Sequence, residues 1–476
     1  MSRLRSLART MKTADFRASF SRETPAVRQA ESKGVDSRLE DGARVAVVGG
    51  GPAGSFFSYF LLELAERAGV RLRVDVYEPR DFSAAAPQGC NMCGGIVSES
   101  LVQALATEGI GIPPTVVQRG IDSYVLHTDV GNVRIDTPLR EMRIAAVFRG
   151  PGPRDAREVR WGSFDGFLQK HVRDRGAELI HSRVDEIGWE SGRPRIRTRD
   201  GKLGTYDLVA VAVGVNTGAL KSFQSMVAGY RPPRTTRTFI GEYYLGDRNV
   251  ASILGSSMHV FLLSIPRLEF AAIIPKGDYA TVCLLGRDID DALVQAFLDS
   301  PVVRECLPPE SYAGRSSCHC WPSINVSGAV RPFSDRVVFI GDCGFTRLYK
   351  DGIGAAYRTA KAAATTALFH GVSAADFETY YWPACKGIGD DNRIGVLTFA
   401  VARQVQRIRF MRRALLRMAS VEQGKSGERR RMSQVLWDLF TGSASYRDIF
   451  LRTLHPAFIA RFLWISIVSM LKKDGA

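Results

Sequence analysis

Long apolar runs are missing from this 476-residue chain: no stretch of eighteen uncharged apolar residues occurs, so no transmembrane helix is expected. The basic start Met-Ser-Arg-Leu-Arg-Ser-Leu is followed by no apolar h-region, and a signal peptide is not expected either. Cysteine is sparse and irregularly spaced, eight in all, which argues against a disulfide framework and for a reducing compartment. Neither Gly-x-Ser-x-Gly nor a phosphate-binding P-loop is present, which removes the hydrolase and kinase classes. No zinc finger, RNA-recognition signature or basic–aromatic interleaving accompanies the charge of +15, so nucleic acid is not the expected partner. Repeats and low-complexity segments are lacking too. What remains, at 45% hydrophobic, can bury a large core and should form two or three domains.

The most informative segment present is Arg44-Val-Ala-Val-Val-Gly-Gly-Gly-Pro-Ala-Gly54. Val45 to Val48 has the small and β-branched residues of a buried parallel strand. Gly49 permits a tight turn, Gly51 lets backbone approach a pyrophosphate, and Gly54 lets the next helix pack closely on the sheet. That helix, from about Pro52 and Ala53 to Arg67, aims its free N–H groups and positive dipole end at phosphate. Glu78 ends the next apolar run, 24 residues after Gly54, where an acid accepts from a ribose. Strand, turn, helix and acid together predict a dinucleotide site.

Residues far downstream decide which dinucleotide. Arg336-Val-Val-Phe-Ile-Gly-Asp342 is another buried strand, and Gly352-Ile353-Gly354 opens an Ala-rich helix to about Leu368. A nicotinamide domain folds without such a second element. FAD is long, so a second element is needed: Asp342 to accept from ribitol hydroxyls, and a helix dipole aimed at the flavin edge. The pair predicts FAD.

The expected fold class is α/β: a Rossmann-type FAD-binding domain, an inserted mainly antiparallel substrate sheet and a C-terminal helical region. Residues 1–42 read as a basic, mobile extension. Residues 43–235 and 331–394 form the two parts of the FAD domain, with the helix at Phe164-Asp165 and strands at Leu179 and Tyr206 in the first. Strand-like stretches from Phe239, His259, Leu268 and Tyr279 place the substrate sheet at 236–330. Residues 395–476 carry fifteen Lys and Arg against five Asp and Glu. The basic run Arg403–Arg417 and the apolar helix from Pro456 to Leu471, with Trp464 and the flanking Lys472-Lys473, are expected to hold the protein at an anionic membrane surface. The alternative is a C-terminal helix packed on the protein's own core. The expected location is cytoplasmic and peripheral on the membrane.

The Gly49-x-Gly51-x-x-Gly54 turn, the Phe164-Asp165 helix, Gly341-Asp342 and Gly352-Ile353-Gly354 resemble the geranylgeranyl-reductase family of the p-hydroxybenzoate-hydroxylase-like FAD superfamily, over roughly residues 43–395. The loop Gly89-Cys90-Asn91-Met92-Cys93-Gly94-Gly95 is similar to that family's flavin-side Cys-Gly segment. The resemblance implies reduction of C=C bonds in an isoprenoid or other lipid substrate. It also implies a separate electron donor, whether NAD(P)H, ferredoxin or flavodoxin. Two segments depart from the pattern. Val213-Gly214 stands where superfamily members usually carry Asp-Gly, which weakens a direct NAD(P)H-dependent monooxygenase reading. Glu269-Phe270-Ala-Ala-Ile273-Ile274-Pro275-Lys276 matches the branch's substrate motif without its Trp.

The chemistry expected of these parts is hydride delivery with orientation and exclusion of water. Cys93, with Gly94 and Gly95, is the candidate flavin-facing catalytic segment; its plain alternative is a tight loop of small residues. Arg149, in the loop Arg149-Gly-Pro-Gly-Pro-Arg154, is the candidate anion or flavin-edge contact. Cys90, Cys93, Cys318 and Cys320 have poor spacing for one tetrahedral ion, and His127, His171, His181, His259, His370 and His455 are scattered, so no metal is expected. The alternatives in function are a FAD monooxygenase, a dehydrogenase passing electrons to quinone, or a flavin-binding electron-transfer partner.

Overall fold

The computed structural model describes residues 37–82, 93–137, 143–153, 162–224, 226–312, 317–423 and 430–471. The extension 1–36, Cys90 and its neighbours Asn91 and Met92, Arg154 and the pair Lys472–Lys473 lie outside the described residues.

The strand Arg44–Val48 is central in a six-stranded sheet ordered Phe333–Ser334, Val337–Phe339, Leu208–Val211, Arg44–Val48, Arg73–Tyr77, Glu178–Ile180. All neighbours are parallel except the edge strand Phe333–Ser334. Val45 to Val48 is buried throughout, as a strand covered on both faces must be. One face packs on the helices Pro52–Ala68, Phe164–Asp174 and Gly352–Phe369. The other packs on Val184, Ile187, Ile196, Leu220 and Phe223. Ala356, Ala360, Ala363 and Ala367 keep the helix Gly352–Phe369 slim enough to lie against Pro52–Ala68. There Tyr357 meets the rings of Phe56 and Phe60 edge-on at 5.7 and 5.4 Å. The strands expected near Leu179 and Tyr206 do belong to this layer.

A second sheet has seven strands, ordered Ser317–Cys320, Phe239–Tyr244, Tyr279–Gly286, Leu268–Lys276, Ser257–Phe261, Ser123–Thr128, Gly131–Asp136. It is antiparallel apart from the Ser257–Phe261 and Ser123–Thr128 pair. It is wider than residues 236–330, because it recruits two strands from upstream. The hairpin Ser123–Asp136 alternates apolar residues only weakly, and its pairing partner is more than a hundred residues away. Side chains alternate between two buried faces. Tyr124, Leu126, Val260, Phe270, Ala272 and Ile274 meet the C-terminal helices, while Phe261, Ala271, Ile273 and Leu284 meet Phe297 and Val303.

The C-terminal region is helical: Trp382–Arg407, Arg409–Gln423, Arg431–Thr441, Tyr446–Thr453 and Pro456–Leu471. Two arginines of its basic run turn inward, while Arg407 and Arg417 are exposed. Arg403 is bound to the buried Glu269 carboxylate at 2.7 and 2.9 Å, and the buried Arg412 pairs with Asp129. The buried Glu269 carboxylate needs a cation and Arg403 supplies it, while the buried Arg412 finds its counter-charge in the exposed Asp129. Leu415, Leu416, Met432, Leu436 and Trp437 complete the cover, and Trp437 Nε1 donates to Glu99 Oε1 at 2.7 Å. No described single helix is long and apolar enough to cross a membrane.

Candidate active site

The glycine turn is built by contact distances. A Cβ on Gly49 (φ +109) would lie 2.5 Å from the Ala212 carbonyl oxygen, and one on Gly54 1.9 Å from the Gly49 carbonyl oxygen. Only bare backbone lets strand, turn and helix approach so closely. The turn is pinned from two sides: the Gly50 N–H donates to Glu78 Oε2 at 2.9 Å, and Gln169 Nε2 donates to the Gly50 carbonyl at 2.9 Å. Glu78 Oε1 accepts from the Arg80 backbone N–H, so Glu78 holds the turn as well as facing it. The helix Pro52–Ala68 starts with Pro52, has no side-chain cap and no acid in its first turn. By contrast, Ser98, Ser163 and Asp290 cap their helices. The first N–H groups of Pro52–Ala68 are therefore left for another acceptor.

Arg149 closes over this turn. Its Nη2 would be 3.3 Å from a Gly51 Cβ, and its guanidinium grips the fully buried Asp165 through two bonds of 3.0 and 2.8 Å. Burial opposes its charge, but the Asp165 carboxylate, bonded to it, and Asp342 outweigh that and hold it protonated.

The second element meets the first at one point. A Cβ on Gly341 (φ +64) would lie 2.6 Å from Ala53 Cβ, so the Gly341–Asp342 turn packs directly on the start of the helix Pro52–Ala68. Burial pushes the Asp342 carboxyl up, while Arg149 and the Thr346 hydroxyl pull it back. Gly352 begins the second helix with its Cβ position 3.8 Å from Asp342 Oδ1, and Ile353 is buried beside it. This helix, too, lacks a side-chain cap and an acid in its first turn. It is entered through two non-glycine residues with positive φ, Tyr349 (63°) and Asp351 (54°). Gly354 leaves room for Asp351, whose Oδ1 would be 2.2 Å from a Cβ there. Asp351 in turn accepts from Arg358 at 3.0 Å. Gly354 thus shapes the helix entry. Strained backbone of this kind persists where its surroundings over-determine it, and it clusters at functional sites.

The Cys93–Gly95 segment joins the cleft to the second sheet. The Gly95 N–H donates to the Cys93 sulfur at 3.3 Å. A Cβ on Gly95 (φ +67) would overlap the Val147 carbonyl at 1.9 Å and lie 2.9 Å from Lys276 Nζ; one on Gly94 would be 3.0 Å from the Cys283 sulfur. Lys276 is fully buried, with its Nζ 5.0 Å from the Phe148 ring and 3.9 Å from Glu242 Oε1. Glu242 Oε2 accepts from the Thr281 hydroxyl at 2.6 Å. Lys276 Nζ and Glu242 Oε1 have no hydrogen-bond partner among the described residues. Burial raises Glu242, and Lys276 and Thr281 draw it back. Two buried polar atoms left without partners beside a glycine cradle are what a site awaiting a polar ligand edge would show.

No family profile and no curated protein sequence matches the chain. Solved structures do. One is a geranylgeranyl bacteriochlorophyll reductase-like protein from Thermoplasma acidophilum, 15% identical, covering 87% of this chain and 99% of that one, with a TM-score of 0.60. Others are a flavoprotein/dehydrogenase from Cytophaga hutchinsonii (12% identical, 90% and 100% covered, TM-score 0.56) and p-nitrophenol 4-monooxygenase from Pseudomonas putida (15%, 86% and 100%, 0.55). The chain has the fold of the p-hydroxybenzoate-hydroxylase-type FAD oxidoreductases. The α/β class and the fold resemblance expected from the motifs are both met.

Of the expected site residues, Gly51 approaches Arg149, Gly50 of the turn is bonded to Glu78, Ala53 approaches Gly341, and Gly352 approaches Asp342. Gln169, Asp165, Lys276 and Glu242 were given no role by their sequence context. A signal existed for Glu242, the one charge in the strand Phe-Ile-Gly-Glu-Tyr-Tyr, whereas Lys276 ends a strand that also carries Glu269, Leu-Glu-Phe-Ala-Ala-Ile-Ile-Pro-Lys.

Proposed function

We propose that the chain binds FAD and reduces C=C bonds of an isoprenoid or other hydrophobic lipid substrate. The observation that carries this reading is the approach of two uncapped helix starts, Pro52 and Gly352, through the contacts of Ala53 with Gly341 and of Gly352 with Asp342, with Arg149 held beside Gly51 by Asp165. There the Gly49–Gly54 turn and Arg149 hold the pyrophosphate, Glu78 the adenosine ribose, and Asp342 the ribitol. FAD, when bound, supplies hydride chemistry at its ring. The chain's own residues do the rest. The apolar sheet face of Ile274, Ala272 and Phe270 leads to Lys276 and excludes water, so orientation of the alkene does much of the work. Lys276 Nζ stands over Gly95, positioned by its buried partner Glu242, where it can deliver a proton to the substrate. The electron donor is a separate molecule, in keeping with Val213-Gly214 in place of Asp-Gly.

FAD should be released on denaturing the yellow protein. Anaerobic oxidation of the dithionite-reduced protein by a short-chain prenyl alcohol should leave a saturated product. Lys276→Met should slow that step by about 10²–10⁴-fold, the usual scale for loss of a positioned acid, while FAD stays bound. A hydroxylated product formed only with oxygen supports the monooxygenase reading instead.

The membrane part of the proposal rests on the last helix. In Pro456–Leu471, Phe458, Ser466 and Ser469 face the protein, and Arg461 lies 3.6 Å from the buried Glu422. The opposite stripe is bare: Leu463, Ile467, Trp464 at 67% and Leu471 at 75% exposure. Truncation before Pro456 would therefore damage the core, and side-chain changes are the cleaner test. Trp464→Ser should lower partition onto anionic vesicles at least about ten-fold, the scale of one large apolar side chain, at both low and high salt. Binding unchanged by that substitution would return the helix to a purely structural role.

A further inference from the structure

On the face of the seven-stranded sheet turned away from Lys276, three side chains converge that the sequence keeps far apart. His127 lies on the strand Ser123–Thr128, His259 on its parallel neighbour Ser257–Phe261, and Cys306 ends the helix Pro301–Cys306. All three are buried. His127 Nε2 is 2.9 Å from His259 Nδ1, and the Cys306 sulfur is 3.6 Å from the first nitrogen and 3.4 Å from the second. The three atoms lie within 4.8 Å of one another.

We propose that His127, His259 and Cys306 form a metal site, two neutral imidazoles and one thiolate, with Zn²⁺ as the ion. Bond lengths of about 2.0–2.1 Å to nitrogen and 2.3 Å to sulfur, arranged tetrahedrally, put ligand nitrogens about 3.4 Å apart and nitrogen and sulfur about 3.6 Å apart. The two nitrogen–sulfur separations already fit. The imidazoles need to part by roughly half an ångström, an adjustment within side-chain reach.

One further observation points the same way. His259 Nε2 lies 3.3 Å from the Leu254 carbonyl. A carbonyl only accepts, so Nε2 carries the proton and the Nδ1 lone pair faces His127 and Cys306. Anchoring the outer ring nitrogen on a carbonyl is how a ligating histidine is oriented, and that carbonyl belongs to a π-helical turn, Val250–Leu254. His127 has no such anchor, since its outer nitrogen Nδ1 is buried with no hydrogen-bond partner among the described residues. Its ring is held flat between His259 and Phe261, with centroids at 5.1 and 4.7 Å. Ion binding displaces the Cys306 thiol proton to solvent, and the His127 proton moves from Nε2 to Nδ1. The fourth position goes to a water. Without an ion, the same atoms form a hydrogen-bonded imidazole pair beside a thiol, the outcome that the test below can also return.

The full chain, purified without chelator from zinc-supplemented medium, is expected to carry one zinc per chain by elemental analysis. Cys306→Ser and His127→Gln should each reduce that at least about ten-fold while the flavin absorbance is kept. Co²⁺ in place of zinc should give a near-ultraviolet thiolate-to-cobalt band that Cys306→Ser abolishes. Should the variants fail to fold, the wild-type protein decides: its melting temperature should fall on chelation and recover on added Zn²⁺. Zinc content at background, zinc unchanged in the variants, or a melting temperature indifferent to chelator and Zn²⁺ overturns the site.

Discussion

Gly51→Val is expected to give a folded but colourless protein, with affinity for FAD reduced by about 10²–10³-fold. A Cβ at this position already stands 3.3 Å from Arg149 Nη2, and the two further methyls of valine fill the space between that guanidinium and the start of the helix Pro52–Ala68. Arg149 cannot simply swing aside, because Asp165 holds it through two bonds. A phosphate excluded from this gap loses both the helix N–H groups and the guanidinium, and a loss of about 3–4 kcal/mol corresponds to that range. The fold should survive, since Gly51 has φ −73° and no backbone strain to relieve. Flavin content after gel filtration and a titration of the apoprotein with FAD measure the effect. Retention of FAD at wild-type affinity would show that the pyrophosphate lies elsewhere.

The second large effect is expected at Arg149 itself. Asp165 is wholly inaccessible and Arg149 largely so; removing one charge of such a pair leaves the other desolvated. Arg149→Met should cost about 3–5 kcal/mol of stability and weaken FAD binding. The double variant Arg149→Met, Asp165→Asn removes both charges and should recover most of the stability without recovering the flavin. Denaturant unfolding and flavin content, measured on the same preparations, separate the two roles. Equal losses of stability in single and double variants would mean that the pair is not coupled.

Elements whose cause is local were legible in the sequence. The strand at Val45–Val48, the Gly49–Gly54 turn, Glu78 and the helix beginning at Gly352 each follow from a few neighbouring residues and the chemistry of close backbone approach. Elements made by distant pairing were not. Nothing near Ser123 announces that Ser123–Thr128 will lie beside Ser257–Phe261, so the width of the second sheet was missed. For the same reason His127, His259 and Cys306 read as unrelated residues. Within the basic run from Arg403, charge on a helix is normally solvated, whereas Glu269 and Asp129, far upstream, draw Arg403 and Arg412 inward. Glu242 is legible as the one charge in an otherwise uncharged strand, because a buried charge needs a partner.

The cover that the C-terminal helices give the second sheet also sets a timetable. The ribosome releases the strands from Ser123 to Gly286 well before Leu415, Leu436 and Trp437 exist. At roughly 5–20 residues per second, the nascent sheet waits on the order of ten seconds with Tyr124, Leu126, Val260 and Phe270 bare to solvent. The six-stranded sheet waits as well, since Leu208–Val211 lacks its neighbour until Val337–Phe339 emerges. Premature release, at a nonsense codon or a stall, would therefore yield sticky fragments and not small stable domains, and healthy production of this chain leans on whatever shields nascent apolar surface.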